Sequence, residues 1–325
     1  MPKVSVVIPN YNHARFLRKR IDSVLQQTFQ DFELILLDDC STDDSRSILS
    51  SYAGNPRVKI EFNDANSGNP FKQWNKGVRL ARGKYVWIAE SDDYADPRFL
   101  ERLVAVVDAD PQVAFAYCRS WRVSADDQHD GFGDFYLAGI DPVRWTADYC
   151  AEGVEECRNY FVRANSVPNA SSVVFRKALY ERVGGADESL RMRGDWKLWA
   201  SMALTGKVAY LAEPLNYFRF HDTSVRSKSE QMKEDLVEHL QVVRWVLGQV
   251  TPAETVLRKL YKEQSDGWVP LVMSSHVPLD LKRAILRSVR EIDPHPIRSA
   301  IRPGLVTIRR KLWRHWNSVR ARMTQ

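Results

Sequence analysis

Short apolar, β-branched runs alternate with stretches of helical periodicity through the first 117 residues, and three of these runs break off at a polar or acidic cluster. Val4-Ser5-Val6-Val7-Ile8 stops at Pro9-Asn10, Phe32 to Leu37 stops at Asp38-Asp39, and Tyr85-Val86-Trp87-Ile88-Ala89 stops at Glu90-Ser91-Asp92-Asp93. Val58 to Phe62 and Val113 to Tyr117 read as further strands. Between them, Phe16, Leu17, Ile21, Val24 and Leu25 recur at helical spacing, with Asn12 placed to cap the helix. Ser41 to Asp44 supplies a second helix start, Phe71 to Ala81 a third helix, and Leu100, Leu103, Val104 and Val107 a fourth. Strand and helix in alternation predict an α/β fold with a mainly parallel sheet built from right-handed crossovers. Ligands bind beyond the carboxyl ends of such strands, where the acidic pairs fall.

Residues 125–165 are less regular, with Gly131, Gly133, Gly139 and many aromatics, and read as an excursion from the sheet. The pattern resumes at Ser172-Val173-Val174-Phe175, followed by a helix, Gly184-Gly185, a helix over Asp195 to Ala203, a short strand Val208 to Ala212, and Tyr217 to His221. After residue 229 the spacing of Leu236, Leu240, Val243 and Leu247 predicts helix throughout. No apolar run approaches the ~18–20 residues that span a bilayer, and the N-terminus enters a strand within four residues, so no signal peptide is expected. Cys40, Cys118, Cys150 and Cys157 lack Cys-x-x-Cys spacing and suggest neither zinc nor a disulfide framework. These features predict a cytoplasmic protein.

The net charge of +6 is a property of the tail. Residues 298–325 hold eight basic side chains and no acid; taking these from the total of 47 leaves 39 basic against 41 acidic groups before them, or −2. Leu305, Ile308, Leu312, Trp316, Val319 and Met323 follow helical spacing among the arginines. A basic amphipathic helix over 303–325 can lie on an anionic membrane at the inner face of the plasma membrane, or pack its apolar stripe on its own protein. Nucleic acid is disfavoured, since no nucleic-acid module is visible.

Carboxylates at a strand end are ordinarily solvated loop residues. Four of them at 38–39 and 92–93 repel one another if the ends converge, and a hard divalent cation such as Mg²⁺ or Mn²⁺, shared with substrate phosphates, relieves that repulsion. There is no Gly-x-x-x-x-Gly-Lys-Ser/Thr loop and no Gly-x-Gly-x-x-Gly after the first strand, which argues against an ordinary ATPase and a dinucleotide dehydrogenase.

Val4 to Asn12, then Leu37-Asp38-Asp39-Cys40-Ser41-Thr42-Asp43, then Gly83 to Asp93, resemble glycosyltransferase family 2. The resemblance continues through Gly184-Gly185-Ala186-Asp187, Gly194-Asp195-Trp196 and Arg219-Phe220-His221 and covers about residues 3–225. It implies the GT-A fold and transfer of a sugar from a nucleotide sugar, UDP- or dTDP-linked, with inversion, onto a glycan or lipid-linked acceptor in bacterial surface polysaccharide assembly. It further implies that Pro9 and Tyr11 line the nucleoside pocket, that Asp39 accepts a hydrogen bond from the base imide with Asp38 in support, and that Asp92 and Asp93 form the acidic metal motif, with Asp92 contacting the nucleotide. Asp93 is implied as the direct Mn²⁺ or Mg²⁺ ligand, His221 as a group reaching the metal or diphosphate, and Asp195 as the base that deprotonates the acceptor hydroxyl. Two departures stand out: Glu90 where Asp is usual, and Gly194-Asp195 where Glu-Asp is frequent.

The expected organisation is a transferase domain over 1–225, with a nucleotide-binding half 1–120 and an acceptor half 121–225. A helical extension over 226–297 and the basic tail 298–325 follow. Other residues keep two readings. Asn66, Gly68 and Asn75 suit either nucleotide contact or turns and caps. Arg219 suits either the diphosphate or a surface ion pair, and Trp196 and Trp199 suit core packing over sugar stacking. His13 suits a helix start over a ligand. Two other classes stay open, a nucleotidyltransferase and a non-catalytic sugar-nucleotide-binding scaffold at the membrane.

Overall fold

The computed structural model describes residues 1–221 and 231–299. The basic tail over 303–325 lies outside the described residues. The chain divides into two units, Met1–Lys228 and Ser229–Gln325.

The strands of the first unit are β1 (Val4–Asn10), β2 (Phe32–Asp38), β3 (Val58–Phe62), β4 (Tyr85–Ile88), β5 (Tyr94–Ala95), β6 (Val113–Val123), β7 (His129–Phe132), β8 (Tyr149–Glu152), β9 (Val173–Arg176) and β10 (Lys207–Arg219). Its helices are α1 (Ala14–Leu25), α2 (Ser45–Ser50), α3 (Pro70–Leu80), α4 (Phe99–Ala109), α5 (Gly153–Glu156), α6 (Lys177–Arg182) and α7 (Gly194–Ala203). The sheet runs β3-β2-β1-β4-β9-β6-β10-β5, with β7 on β6 and β8 on β10. β3, β2, β1 and β4 are parallel. β9 runs against both β4 and β6. The excursion after β6 acts as a wide hairpin connection that returns the chain at the end where β6 finished, so the sheet is mixed beyond β4. Strand order reverses between β1 and β4, which opens a crevice at their carboxyl ends.

The predicted alternation becomes this half-sheet for simple reasons. β1 and β2 are buried along their whole length, as a two-sided parallel sheet requires. α3 lays Phe71, Trp74 and Val78 on one face, starts at Pro70, and is capped by Asn69, whose side chain accepts from Phe71 N at 2.8 Å. Gly77 lets that helix lie directly on β1, since a Cβ there would stand 2.3 Å from Val7 Cγ1. Trp87 stacks on Phe99 with ring centroids 4.3 Å apart, joining β4 to α4. Each large side chain buried this way contributes about 1.5–3 kcal/mol.

Two local readings change, while the core-packing reading of Trp196 and Trp199 holds. Asn12 does not cap α1: its backbone is left-handed (φ 56°), and Asp43 from the neighbouring loop accepts from Ala14 N at 2.9 Å. The short strand expected over Val208 to Ala212 runs on to Arg219 as β10, whose register shifts around Leu211, Pro214 and Asn216 absorb the proline. Trp196 and Trp199 are fully buried, the latter against Phe115 and Phe175.

The second unit holds α8 (Gln231–Gln249), α9 (Glu254–Met273) and α10 (Leu279–Ile292). Leu240, Val243, Val246, Leu260, Ile285 and Val289 are buried within it. No helix among the described residues is long and apolar enough to cross a membrane.

Candidate active site at the strand ends

β2, β1 and β4 are neighbours and parallel, so the segments after Asp38, Asn10 and Ile88 emerge side by side. Pro9 is buried in β1, beyond the last residue that pairs with β4, so its missing N–H costs no ladder bond on that side. Tyr11, one residue past the strand, is 46 % exposed. Asp38 is fully buried and accepts from Asn10 Nδ2 at 3.1 Å and Ser41 N at 3.0 Å, bracing the loop from inside. The Asp39 carboxylate gathers four donors: Asn63 Nδ2, Ser67 N and Gln73 Nε2 on Oδ1, and Ser67 Oγ on Oδ2. Oδ2, with one donor, keeps acceptor capacity for a further N–H. Asn66 and Asn75 take turn and bridging roles: Asn66 accepts from Gly68 N and donates to Asp39 O, while Asn75 donates to Ala186 O and Glu188.

The acidic loop after β4 is split between two directions. Asp93 is 2 % exposed and faces inward, with Oδ2 accepting from Asn169 Nδ2 and Oδ1 from Arg219 N, both at 2.9 Å. Burial, reinforced by Asp92, pushes its carboxyl up to about 6. Asp92 faces the other way, 3.1 Å from His221 Nε2. Burial pushes its carboxyl up, but the His221 hydrogen bond and the charges of His13 and His221 outweigh this and hold it low. The ligand atoms of His13, Asp92 and His221 lie within 4.8 Å of one another. Thus the carboxylate beside the histidines is Asp92, where Asp93 was expected, because Asp93 spends both oxygens on the protein. Glu90 accepts from Trp74 Nε1 at 2.7 Å, and burial together with Asp92 raises its carboxyl to about 8. Its extra methylene therefore serves a contact within the protein. Nitrogen and carboxylate donors at this spacing suit a divalent transition ion.

Beneath the loop lies Arg20, fully buried on α1. Its Nε donates to Glu90 O at 2.8 Å, its guanidinium lies 5.0 Å from the Trp87 ring, and neither Nη has a hydrogen-bond partner among the described residues. Burial lowers it to about 10 against the opposing pull of Asp93, Asp92 and Glu90. The sequence held a signal for this residue: Phe16, Arg20 and Val24, four apart, put a cation on the apolar stripe of α1.

Arg219 forms an ion pair, with Asp127, but from a buried position rather than on the surface. It is 3 % exposed and donates to Asp92 O, Ser124 O, Ala125 O and the Asp127 carboxylate.

Asp195 enters from α7. Its Oδ2 accepts from Asn165 Nδ2 at 2.9 Å. Four residues along, Asn169 holds Asp93, and Ser171 Oγ accepts from Glu90 N. One segment therefore ties Asp195 to the acidic loop. A second tie runs through α3, which holds Asp39 by Gln73 and meets Gly194 with the Phe71 ring. Isolated Asn and Gln residues carry no periodic signal, so Gln73, Asn165 and Asn169 were not legible beforehand.

Residues 5–146 match the model of glycosyl transferase family 2. An uncharacterized glycosyltransferase from Nostoc sp. is 30 % identical over 226 residues, covering 67 % of this chain and 65 % of that protein. The poly(ribitol-phosphate) β-N-acetylglucosaminyltransferase TarS of Staphylococcus aureus is 34 % identical over 110 residues, 33 % of this chain and 19 % of TarS. The chain thus spans less than two thirds of the length of these relatives. In fold it is similar to TarS 1–349 solved with UDP-GlcNAc, at TM-score 0.66 and 18 % identity over 90 % of this chain and 82 % of that one. It is also similar to a mannosyltransferase from Pyrobaculum calidifontis solved with GDP-Man and Mn²⁺, at TM-score 0.56 and 18 % identity over 98 % and 84 %. The GT-A-like sheet, the acidic loop at the β1/β4 crevice and the match over 5–146 agree: residues 5–146 of the chain belong to glycosyl transferase family 2.

Proposed function

We propose that this chain is a metal-dependent, inverting glycosyltransferase that moves a sugar from a UDP- or dTDP-sugar to the hydroxyl of a glycan or lipid-linked acceptor in surface polysaccharide assembly. The observation that carries the reading is the double tie of Asp195 to the acidic loop and to the Asp39 pocket. The uridine nucleotides of the TarS structures support the donor class, and the poly(ribitol-phosphate) in its name, a polymer of hydroxyl-bearing polyol units, supports a polymeric hydroxyl acceptor.

In this reading residues 1–120 bind the nucleotide and 121–225 receive the acceptor. Tyr11 packs on the base and Asp39 takes the imide N–H on Oδ2. Asp92 and His221 hold a Mn²⁺ or Mg²⁺ ion, which when bound stabilises the charge left on the departing diphosphate. Asp93, inward-facing, fixes the direction of Asp92 by anchoring to Asn169 and Arg219 N. Asp195 accepts the acceptor's proton as its oxygen attacks, with Asn165 fixing the carboxylate. A single carboxylate serves a single displacement, which inverts the anomeric carbon.

A thermal-shift screen of UDP, dTDP and GDP with and without Mn²⁺ should single out a pyrimidine nucleotide. Asp195→Asn should retain that shift and lose transfer to an acceptor panel. Transfer at near wild-type rate by that variant would remove Asp195 as base, and the absence of any nucleotide-dependent shift would remove the donor reading.

A further inference from the structure

The proposed metal site uses Asp92 and His221 and leaves His13 without a task. A residue just before a helix ordinarily caps it, yet the His13 side chain makes no cap bond, and Asp43 takes the Ala14 N–H in its place. The ring turns instead toward the acidic loop. Its Nδ1 lies 2.8 Å from Ser91 Oγ, and it stands edge-on to His221 with centroids 5.8 Å apart and planes at 89°. Phe16 touches both imidazoles, at 6.3 Å from His13 and 5.0 Å from His221, so one aromatic wall positions the pair. Ligand atoms of His13, Asp92 and His221 within 4.8 Å of one another fit around one cation, since opposite ligands at bond lengths of about 2.0–2.6 Å stand ~4–5 Å apart.

We propose that His13 is a third protein ligand of the divalent ion, and that two imidazoles with one carboxylate make the site discriminate against Mg²⁺ in favour of Mn²⁺ and similar transition ions. Magnesium demands oxygen donors and sheds water reluctantly, whereas imidazole suits the transition series. Ser91 is the positioning residue: with Nδ1 on its hydroxyl, the ring has one nitrogen left to give, and its plane is set by the loop that carries Asp92. The proposal rests on the reading of the site as a metal site and adds a ligand and a selectivity to it.

The test uses the full chain without nucleotide. Mn²⁺ binding is followed by the EPR signal of the free ion, and Mg²⁺ binding by competition. His13→Gln should weaken Mn²⁺ by about tenfold or more while changing Mg²⁺ far less, so that the preference collapses; Ser91→Ala should weaken Mn²⁺ in the same direction. Unchanged Mn²⁺ affinity and unchanged preference in His13→Gln would overturn the proposal. If that variant does not fold, as judged by thermal unfolding without metal, pulsed EPR on the Mn²⁺-loaded wild-type chain decides. Two coupled imidazole nitrogens are expected, and one would overturn it. A chain that binds Mn²⁺ through two imidazoles but transfers no sugar would sink the transferase reading alone, and a working transferase with a single coupled imidazole would sink the His13 assignment alone.

Discussion

Gly194→Ala is a small change with a large expected effect. A Cβ at residue 194 would stand 2.5 Å from Phe71 Cε2 and 2.7 Å from Cδ2 and Cζ. Carbon atoms pack at about 3.5–4.0 Å, so the ring would have to withdraw by roughly 1 Å. It has little room, being 3 % exposed and wedged edge-on against Trp74 at 5.2 Å. Overpacking of this kind costs about 1–3 kcal/mol, and a unit of this size loses about 2–4 °C of Tm per kcal/mol. If α7 yields instead of the ring, Asp195 moves away from Asn165, and if Asp195 is the base proposed above, a displacement of about 1 Å lowers turnover by about a hundredfold. Thermal unfolding and transfer rate should be measured for Gly194→Ala, Phe71→Leu and the double variant. Leucine is shorter than phenylalanine, so the double variant should recover at least about 1 kcal/mol relative to the sum of the singles. A Gly194→Ala chain with wild-type Tm and rate, or strictly additive singles, would refute the claim that Phe71 sets the position of α7. The same contact leaves no room at 194 for any side chain, glutamate included.

Arg20→Met should cost about 3–5 kcal/mol, read as a lowered Tm without metal, because it leaves Glu90, Asp92 and Asp93 without their buried cation; the loss should shrink when Mn²⁺ is added. Asp39→Asn should fold, because its amide can donate to Ser67 Oγ, but it removes the acceptor offered to a base imide; UDP affinity measured by calorimetry should fall about tenfold or more. Asp187 carries an acid-stability contribution. Burial pushes its carboxyl up, but hydrogen bonds from Lys197 and Ser189 outweigh this and hold it at about 2, below its usual 3.8. The folded value is depressed, so the stabilisation is present above about pH 4 and is lost as pH falls toward 2. With the side chain 29 % exposed, about 1 kcal/mol is at stake. Lys197→Met should raise the midpoint of acid unfolding, and an unmoved midpoint would count against the pairing.

Much of the sheet was legible because burial on both faces forces continuous apolar runs, and β1, β2 and β4 announce themselves this way, along with the carboxylates that follow β2 and β4. What failed was information that a local pattern does not hold. β5 has two residues and exists only because β10 lies beside it. The direction of β9 depends on where a 49-residue excursion from Ser124 to Ser172 returns the chain. Asp92 and Asp93 differ only in which way each points, and that is decided by Asn169 and Arg219, more than 70 residues away. Arg20 was readable in principle, as a cation on an apolar stripe, but a stripe alone does not name the three acids above it.

Arg219 constrains how such a chain can diversify. One planar fork grips main-chain oxygens at 92, 124 and 125 as well as the carboxylate at 127, and the same residue's amide holds Asp93. Insertions or deletions around 124–127, a half-buried turn at the surface, are transmitted straight to the carbonyl of Asp92. Sequence change therefore has a freer path through the aromatic stretch at 132–146, which that guanidinium does not touch, than through the turn next to it.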